Sequence, residues 1–274
     1  MSVNGLAVCL LLAPGVALAH SPFDLDAADR LPLWLGALVM TAAWLLYARG
    51  ARLRPPRPAA RRAFHAGMVI CVFAVFGPLD DLAETNTALH MAQHMLFMVV
   101  IAPLWALAGP LPQWHAALGG RLRWLWRALS RAGRQPAACA TLHGVTVWVW
   151  HVPFLYVLAL DDAWVHLVEH AAFLFTAWLF WWSALRATAT TTGAALVAVG
   201  VTLMHTGLLG ALLTFATVSF YGPERGVAEQ QLAGMIMWVP GSLFYLGAAG
   251  WMSWRWLQRG AASGNLTADG REGT

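Results

Sequence analysis

Residues 87–108 read TALHMAQHMLFMVVIAPLWALA. The stretch holds no Asp, Glu, Lys or Arg, and at 1.5 Å per residue it makes a helix about 33 Å long. A bilayer's hydrocarbon core is about 30 Å thick, so the segment predicts a membrane-spanning helix. Two features separate it from a plain anchor. His90 and His94 lie four apart, on one helix face. Pro103 removes a backbone donor within the span, which predicts a kink.

The rest of the chain is of the same kind. It has 274 residues, 59% of them hydrophobic and 11% charged, with mean hydropathy +0.59. A soluble domain carries about 25% charged residues. The apolar content excludes a disordered chain, and three cysteines exclude a disulfide scaffold. Six more apolar segments lie near 31–49, 63–79, 137–158, 164–185, 194–217 and 230–254. The predicted fold is an all-α polytopic membrane helix bundle, with seven transmembrane helices over residues 31–258. Residues 1–19 form a short apolar run ending Ala17-Leu18-Ala19, the pattern of a secretory signal peptide. Residues 20–30 then form an external N-terminal segment, and 259–274, small and polar, a disordered cytoplasmic tail.

All seventeen basic residues are arginine, and all but Arg30 and Arg225 fall in the first, third and fifth loops or after the last span. The positive-inside rule places the N-terminus outside and the C-terminus in the cytoplasm. Asp24, Asp26, Asp29, Asp80, Asp81, Glu84, Asp161, Asp162, Glu224 and Glu229 then all lie outside. The basic balance thus expresses topology and does not point to nucleic acid. The Arg-, Leu- and Trp-rich stretch 121–131 reads as an interfacial helix. Gly200 and Gly207, seven apart, predict a close helix crossing. Pro78, Pro153 and Pro240 predict further kinks.

Histidines gather at one depth. His166 and His170 repeat the four-residue spacing near the outer end of the fifth span, and His151 lies in the outer half of the fourth. By helical rise, His94, His151 and His170 sit roughly 10–13 Å below the outer surface. His205 is deeper; His65, His115 and His143 lie towards the cytoplasm. Ionisable groups inside a membrane are costly and usually face a functional interior, and a neutral imidazole is a ready metal ligand. His90, His94, His166 and His170 are therefore the primary candidate ligands, with His151 and His205 behind them. Gln93 and Glu169 are placed to orient imidazoles or offset cation charge. Both segments read H-x-x-[Q/E]-H-x-x-F, at 90–97 and 166–173, and both helices run outside to inside. A parallel internal repeat or coincidence explains this equally.

Imidazoles beside Met91, Met95 and Met98, with Met235 and Met237 on the seventh span, suit copper. Cys71 and Cys139 lie too deep to join the layer. His166-Leu-Val-Glu-His170 also spells an inverted zinc-peptidase motif, but no downstream third ligand accompanies it. Paired histidines on two helices equally describe a bis-histidine haem b protein, for which only Arg30 and Arg225 are available to meet propionates on the outer side. A copper transporter would need a polar path through the inner half, where only His143 and His65 lie.

The segments HMAQHMLFMVVIAPLWALAGP (90–110), WHVPFLYVLAL (150–160), HLVEHAAFLFTAWLFWW (166–182), HTGLLGALLTF (205–215) and EQQLAGMIMWVPG (229–241) resemble, in order and spacing, the CtaG-type cytochrome c oxidase assembly protein family. Glu229 departs from the pattern, which begins that last segment with Asp. The family's motifs fall here on His90, His94, His151, His166, His170, His205 and Gln230. The resemblance implies a non-enzymatic, multi-pass factor of the bacterial plasma membrane. It would assist copper insertion into a haem–copper oxidase from a site facing the periplasmic side. A haem-binding electron-transfer protein and a copper transporter are the alternatives.

Overall fold

The structure, a computed structural model, describes the backbone of residues 27–269 except residue 224, and the side chains of 31–259 with the same exception. The signal-peptide reading of residues 1–19 lies outside the described residues. Every regular element described is helical. Six helices are long and apolar enough to cross a membrane: Leu31–Leu53, Pro58–Phe76, Thr87–Ala108, Ala163–Leu185, Thr192–Thr214 and Val227–Arg259. The fourth expected span is a broken pair, Pro136–Trp150 and Pro153–Asp161, bent by 74°. Counting that pair as one span gives seven. The bend sits at His151-Val152, just before the proline expected to kink the helix.

We number the helices in chain order. Helix α1 (Ala27–Leu53) leads to α2 (Pro58–Phe76) and the short α3 (Pro78–Thr85). The third span consists of α4 (Thr87–Met95), a π-helical turn (Leu96–Ile101) and α5 (Ala102–Ala108). Then come α6 (Leu111–Ala117), α7 (Arg123–Ala132), the broken span α8 (Pro136–Trp150) and α9 (Pro153–Asp161), and the fifth span α10 (Ala163–Leu185). Helix α11 (Thr192–Thr214) and α12 (Val227–Asp269) complete the bundle. Helix α12 runs to Asp269, ten residues past the point where composition predicts an irregular tail. Helix α7 has an apolar stripe but buries no residue, as an interfacial helix does.

The outer surface is apolar. Met204, Phe154 and Phe215 are more than 70% exposed, and Leu31, Leu38, Val197 and Leu243 more than 60%. A soluble monomer rarely shows contiguous apolar patches above a few hundred Å²; a lipid-facing belt must. Polar side chains turn inward instead: His90, Gln93, His94, His143, Glu169 and Gln230 are at most 1% exposed.

Helix α10 packs on α8, α9, α5, α1 and the π-helical turn, and so holds the middle of the bundle. The π-helical turn has a local cause. Pro103 offers no N–H to a carbonyl one wide turn earlier. Trp181 of α10 supplies the missing donor, its Nε1 giving a 2.7 Å hydrogen bond to Met98 O. Helices α11 and α12 make the most extensive pairing, and of the two expected glycines Gly207 faces α12, where a Cβ would meet the Trp238 ring at 3.5 Å, and Gly200 does not. Gly200 has open space where a Cβ would stand. Gly210 and Gly234 make the crossing: a Cβ on Gly210 would stand 2.9 Å from Gly234 O, and one on Gly234 2.5 Å from Gly210 O. The face turned to α12 thus includes Gly207, and the closest approach comes at Gly210, three residues further along.

Candidate metal centre

Each histidine pair hangs from its own helix cap at the same distance. Asn86 Oδ1 accepts from Leu89 N at 3.0 Å and opens α4. Asp162 Oδ1 accepts from Trp164 N and Val165 N at 2.8 and 3.0 Å and opens α10. Each cap is worth about 1 kcal/mol. His90 and His166 follow their caps by four residues, His94 and His170 by eight. The two helices thus deliver imidazoles level by level, about 6 and 12 Å beyond the caps. The ring centroids of His90 and His166 lie 5.7 Å apart, those of His94 and His170 5.5 Å. Along each helix the separations are 4.2 Å for His90–His94 and 4.0 Å for His166–His170.

Glu169 lies among the rings rather than behind them. Its Oε2 is 3.9 Å from His90 Nε2 and 3.8 Å from His94 Nε2. Both are too long for a hydrogen bond. Ligand atoms of His90, His166 and Glu169 all fall within 4.8 Å of one another, as do those of Asp80, His166 and His170. Among the buried side-chain atoms without a hydrogen-bond partner, both ring nitrogens of His90, Nε2 of His94, His151, His166 and His170, and Glu169 Oε2 gather here, while others, His143 Nε2 and His205 Nδ1 included, lie elsewhere in the bundle. A buried polar atom left without a partner costs about 1–3 kcal/mol. A cation that takes these lone pairs relieves that cost. The residues present therefore fit a metal ion.

The other sequence candidates fall in different places. His151 caps the broken end of α8: its Nδ1–H donates to Val147 O at 2.7 Å, leaving Nε2 as the buried lone pair. It shares Phe173 with His94, at ring distances of 6.3 and 4.6 Å. His205 does not join the cluster. Its Nε2 lies 2.9 Å from where a Cβ on Gly144 would stand, so the glycine makes room for the ring against α8. Gln93 does not orient an imidazole. Its Nε2 donates to Ala74 O at 2.7 Å and to Asp80 Oδ1 at 2.6 Å. Gln230 secures the loop before α12, its Oε1 accepting from Phe220 N at 2.7 Å and its Nε2 donating to Val218 O at 3.3 Å. The methionines Met91, Met95 and Met98 belong to the apolar core, and Met95 reaches Gly241 of α12.

Sequence reasoning missed Asp80, Tyr156, Tyr221 and Arg225. Tyr156 stands 5.3 Å from His90, ring to ring, and stacks on Tyr221 at 3.8 Å. Arg225 lies over Tyr156 at 5.9 Å and donates to Glu84 O at 2.7 Å. Burial, with Tyr156 and Glu169 adding to it, raises the Tyr221 hydroxyl above its ordinary pKa. Burial also pushes the Asp80 carboxyl up to about 7; the Gln93 hydrogen bond pulls the other way, and Glu84 and Asp81 add to the rise. One usable signal was the scarcity of tyrosine: the chain has four, against sixteen tryptophans, and all four are buried.

A cleft of about 290 Å³ leads to the cluster, with Asp80, Glu84 and Asp161 along its walls and His166 and His170 in its lining. The family described as cytochrome c oxidase caa3 assembly factor (Caa3_CtaG) has a model that matches residues 36–259. No curated protein and no solved structure matches the chain.

Proposed function

The chain belongs to the cytochrome c oxidase caa3 assembly factor family, and from that premise we propose that it is a copper-binding factor that helps load copper into a haem–copper oxidase. The observation that carries this reading is the set of three buried imidazoles, the half-buried His166 and one buried carboxylate with lone pairs uncommitted. His90, His94, His166 and His170 hold the ion, Glu169 offsets its charge, and His151 stands in reserve. Imidazole nitrogen with a carboxylate is a donor set that copper accepts. Rings only 4.0–5.7 Å apart on all sides support a single ion over a flat macrocycle.

The arginine distribution supports an orientation with the Asp80 cleft on the periplasmic side of a bacterial plasma membrane. There the protein meets its client oxidase subunit, binding and releasing copper without catalytic turnover. The test is direct. Purified protein should carry copper by elemental mass spectrometry, and His94→Ala with His170→Ala should lose it. A Soret band with stoichiometric iron overturns the reading in favour of haem. A deletion strain whose oxidase keeps its activity and copper content overturns the assembly role.

A further inference from the structure

We propose that the centre is filled in two steps through a separate outer position, formed by Asp80, His166 and His170, from which His166 hands the cation to the inner position that it shares with His90 and Glu169, beside His94. This rests on the copper reading above and adds a route to it. The two groups of ligand atoms, each within 4.8 Å, share His166 and differ in access. Asp80, His166 and His170 all line the 290 Å³ cleft. His90, His94 and Glu169 are each 1% exposed and do not line it.

The chemistry of the two positions differs in the way a handover needs. The outer one offers a carboxylate and two imidazoles at the end of an acid-walled cleft, which draws in a divalent cation. Gln93 holds the Asp80 carboxylate in place from α4, at 2.6 Å. The Gln93 amide donates its second proton to Ala74 O at 2.7 Å, so its position is determined from both sides. The inner position also has two imidazoles and a carboxylate, but His94 stands 3.8 Å from Glu169 Oε2 as a third imidazole, and His90, His94 and Glu169 lie away from the cleft. His166 lies one helical turn from His170 and faces His90 across 5.7 Å. A modest swing of its ring exchanges one partner set for the other. No electron or proton source is required: the ion keeps its oxidation state and only its ligands change. Metal–nitrogen bonds of about 2.0 Å mean that either triad must close by about 1 Å on binding, so the two positions compete for His166 and fill in turn.

Purified full-length protein in detergent, mixed with Cu(II) in a stopped-flow instrument, reports loading through quenching of its tryptophan emission. Acid-walled clefts raise on-rates by tenfold or more, so Asp80→Asn should load about tenfold more slowly. His90→Ala with His94→Ala should trap one copper in the outer position. Its electron paramagnetic resonance spectrum should show two nitrogen couplings, and a chelator should remove the ion at once. Adding Asp80→Asn to that pair should abolish binding. If the alanine pair fails to fold, His90→Asn with His94→Asn repeats the trap with less volume lost. Loading of Asp80→Asn at the wild-type rate overturns the route while leaving the copper centre standing. An Asp80→Asn protein that never fills makes Asp80 part of one composite site and overturns the two positions. Wild-type protein that binds no copper overturns both this route and the reading beneath it.

Discussion

Glu169→Gln should move two properties in opposite directions. Without metal, the Glu169 carboxylate is buried to 1% exposure with Oε2 unpartnered. Leaving a buried carboxyl oxygen unpartnered costs about 1–3 kcal/mol, and an amide brings N–H donors to the unpartnered imidazole nitrogens beside it, so Gln should stabilise the metal-free protein. With metal, the sign reverses. Oε2 lies 3.8–3.9 Å from the two nitrogens that hold the ion. At an effective dielectric of about 20, a unit charge pair at that range is worth about 4 kcal/mol. Halving that figure for relaxation leaves about 2 kcal/mol, a loss of roughly thirtyfold in affinity. Thermal unfolding in detergent reads the first effect, and competition with a chromophoric copper chelator reads the second. A variant that unfolds at lower temperature without metal yet binds copper as tightly as wild type would refute the reasoning, because it would make Glu169 a structural partner of the histidines.

Three further outcomes follow from the packing. Trp181→Phe removes the donor to Met98 O and should cost about 1–3 kcal/mol; because it loosens the π-helical turn beside His94, copper affinity should fall with it, whereas Trp178→Phe, on a ring that stacks only on Trp182 and Phe175, should leave affinity alone. Gly144→Ala drives a methyl into the His205 ring and should lower the unfolding temperature by an overpacking cost of about 1–3 kcal/mol without changing copper stoichiometry; a lost copper would return His205 to the centre. Gly234→Ala sets a Cβ 2.5 Å from Gly210 O and 2.6 Å from Thr214 N, so folded yield on size-exclusion chromatography should collapse, whereas Gly200→Ala, in open space, should leave it unchanged.

Much of this was legible in the sequence because helical geometry is regular. The spans near 87–108 and 164–185 agree with the structure to within a residue or two, since long apolar runs mark them directly. The four histidines were legible because equal spacing from equal starts gives equal depth. What the sequence could not show is rotation. Gly210 faces α12 and Gly200 does not, yet both occur in the same apolar run. His205 has the composition of a ligand and the orientation of a packing residue, because its face of α11 meets Gly144. Asp80 read as one of many outer acids. Only the reversal of direction at Gly77, where α3 leaves the line of α2, sets it against Gln93. Gln93 in turn looked like a partner for its neighbour His94, while its side chain points to the other side of the helix.

The irregular pieces of backbone lie beside the centre, and the side chains that repair them also shape it. The π-helical turn begins two residues after His94, and the carbonyl of Met98 within it is satisfied by Trp181, which belongs to the same helix as His166 and His170. The repair therefore ties the two histidine-bearing helices together immediately beyond their rings. In the fourth span the chain bends by 74° at His151. The backbone N–H of His151 turns to Val149 O, and Val147 O receives the ring's Nδ1–H in its place. That bond determines which nitrogen carries the proton, and so leaves the Nε2 lone pair on the buried side. A straight helix would have met its own backbone needs and left the imidazole to either tautomer. The break thus converts a helix end into a preoriented donor, and the same bend brings Tyr156 of α9 against His90. Helix distortion here assigns the proton of the one imidazole at the break and sets its lone pair at the depth of the two histidine pairs.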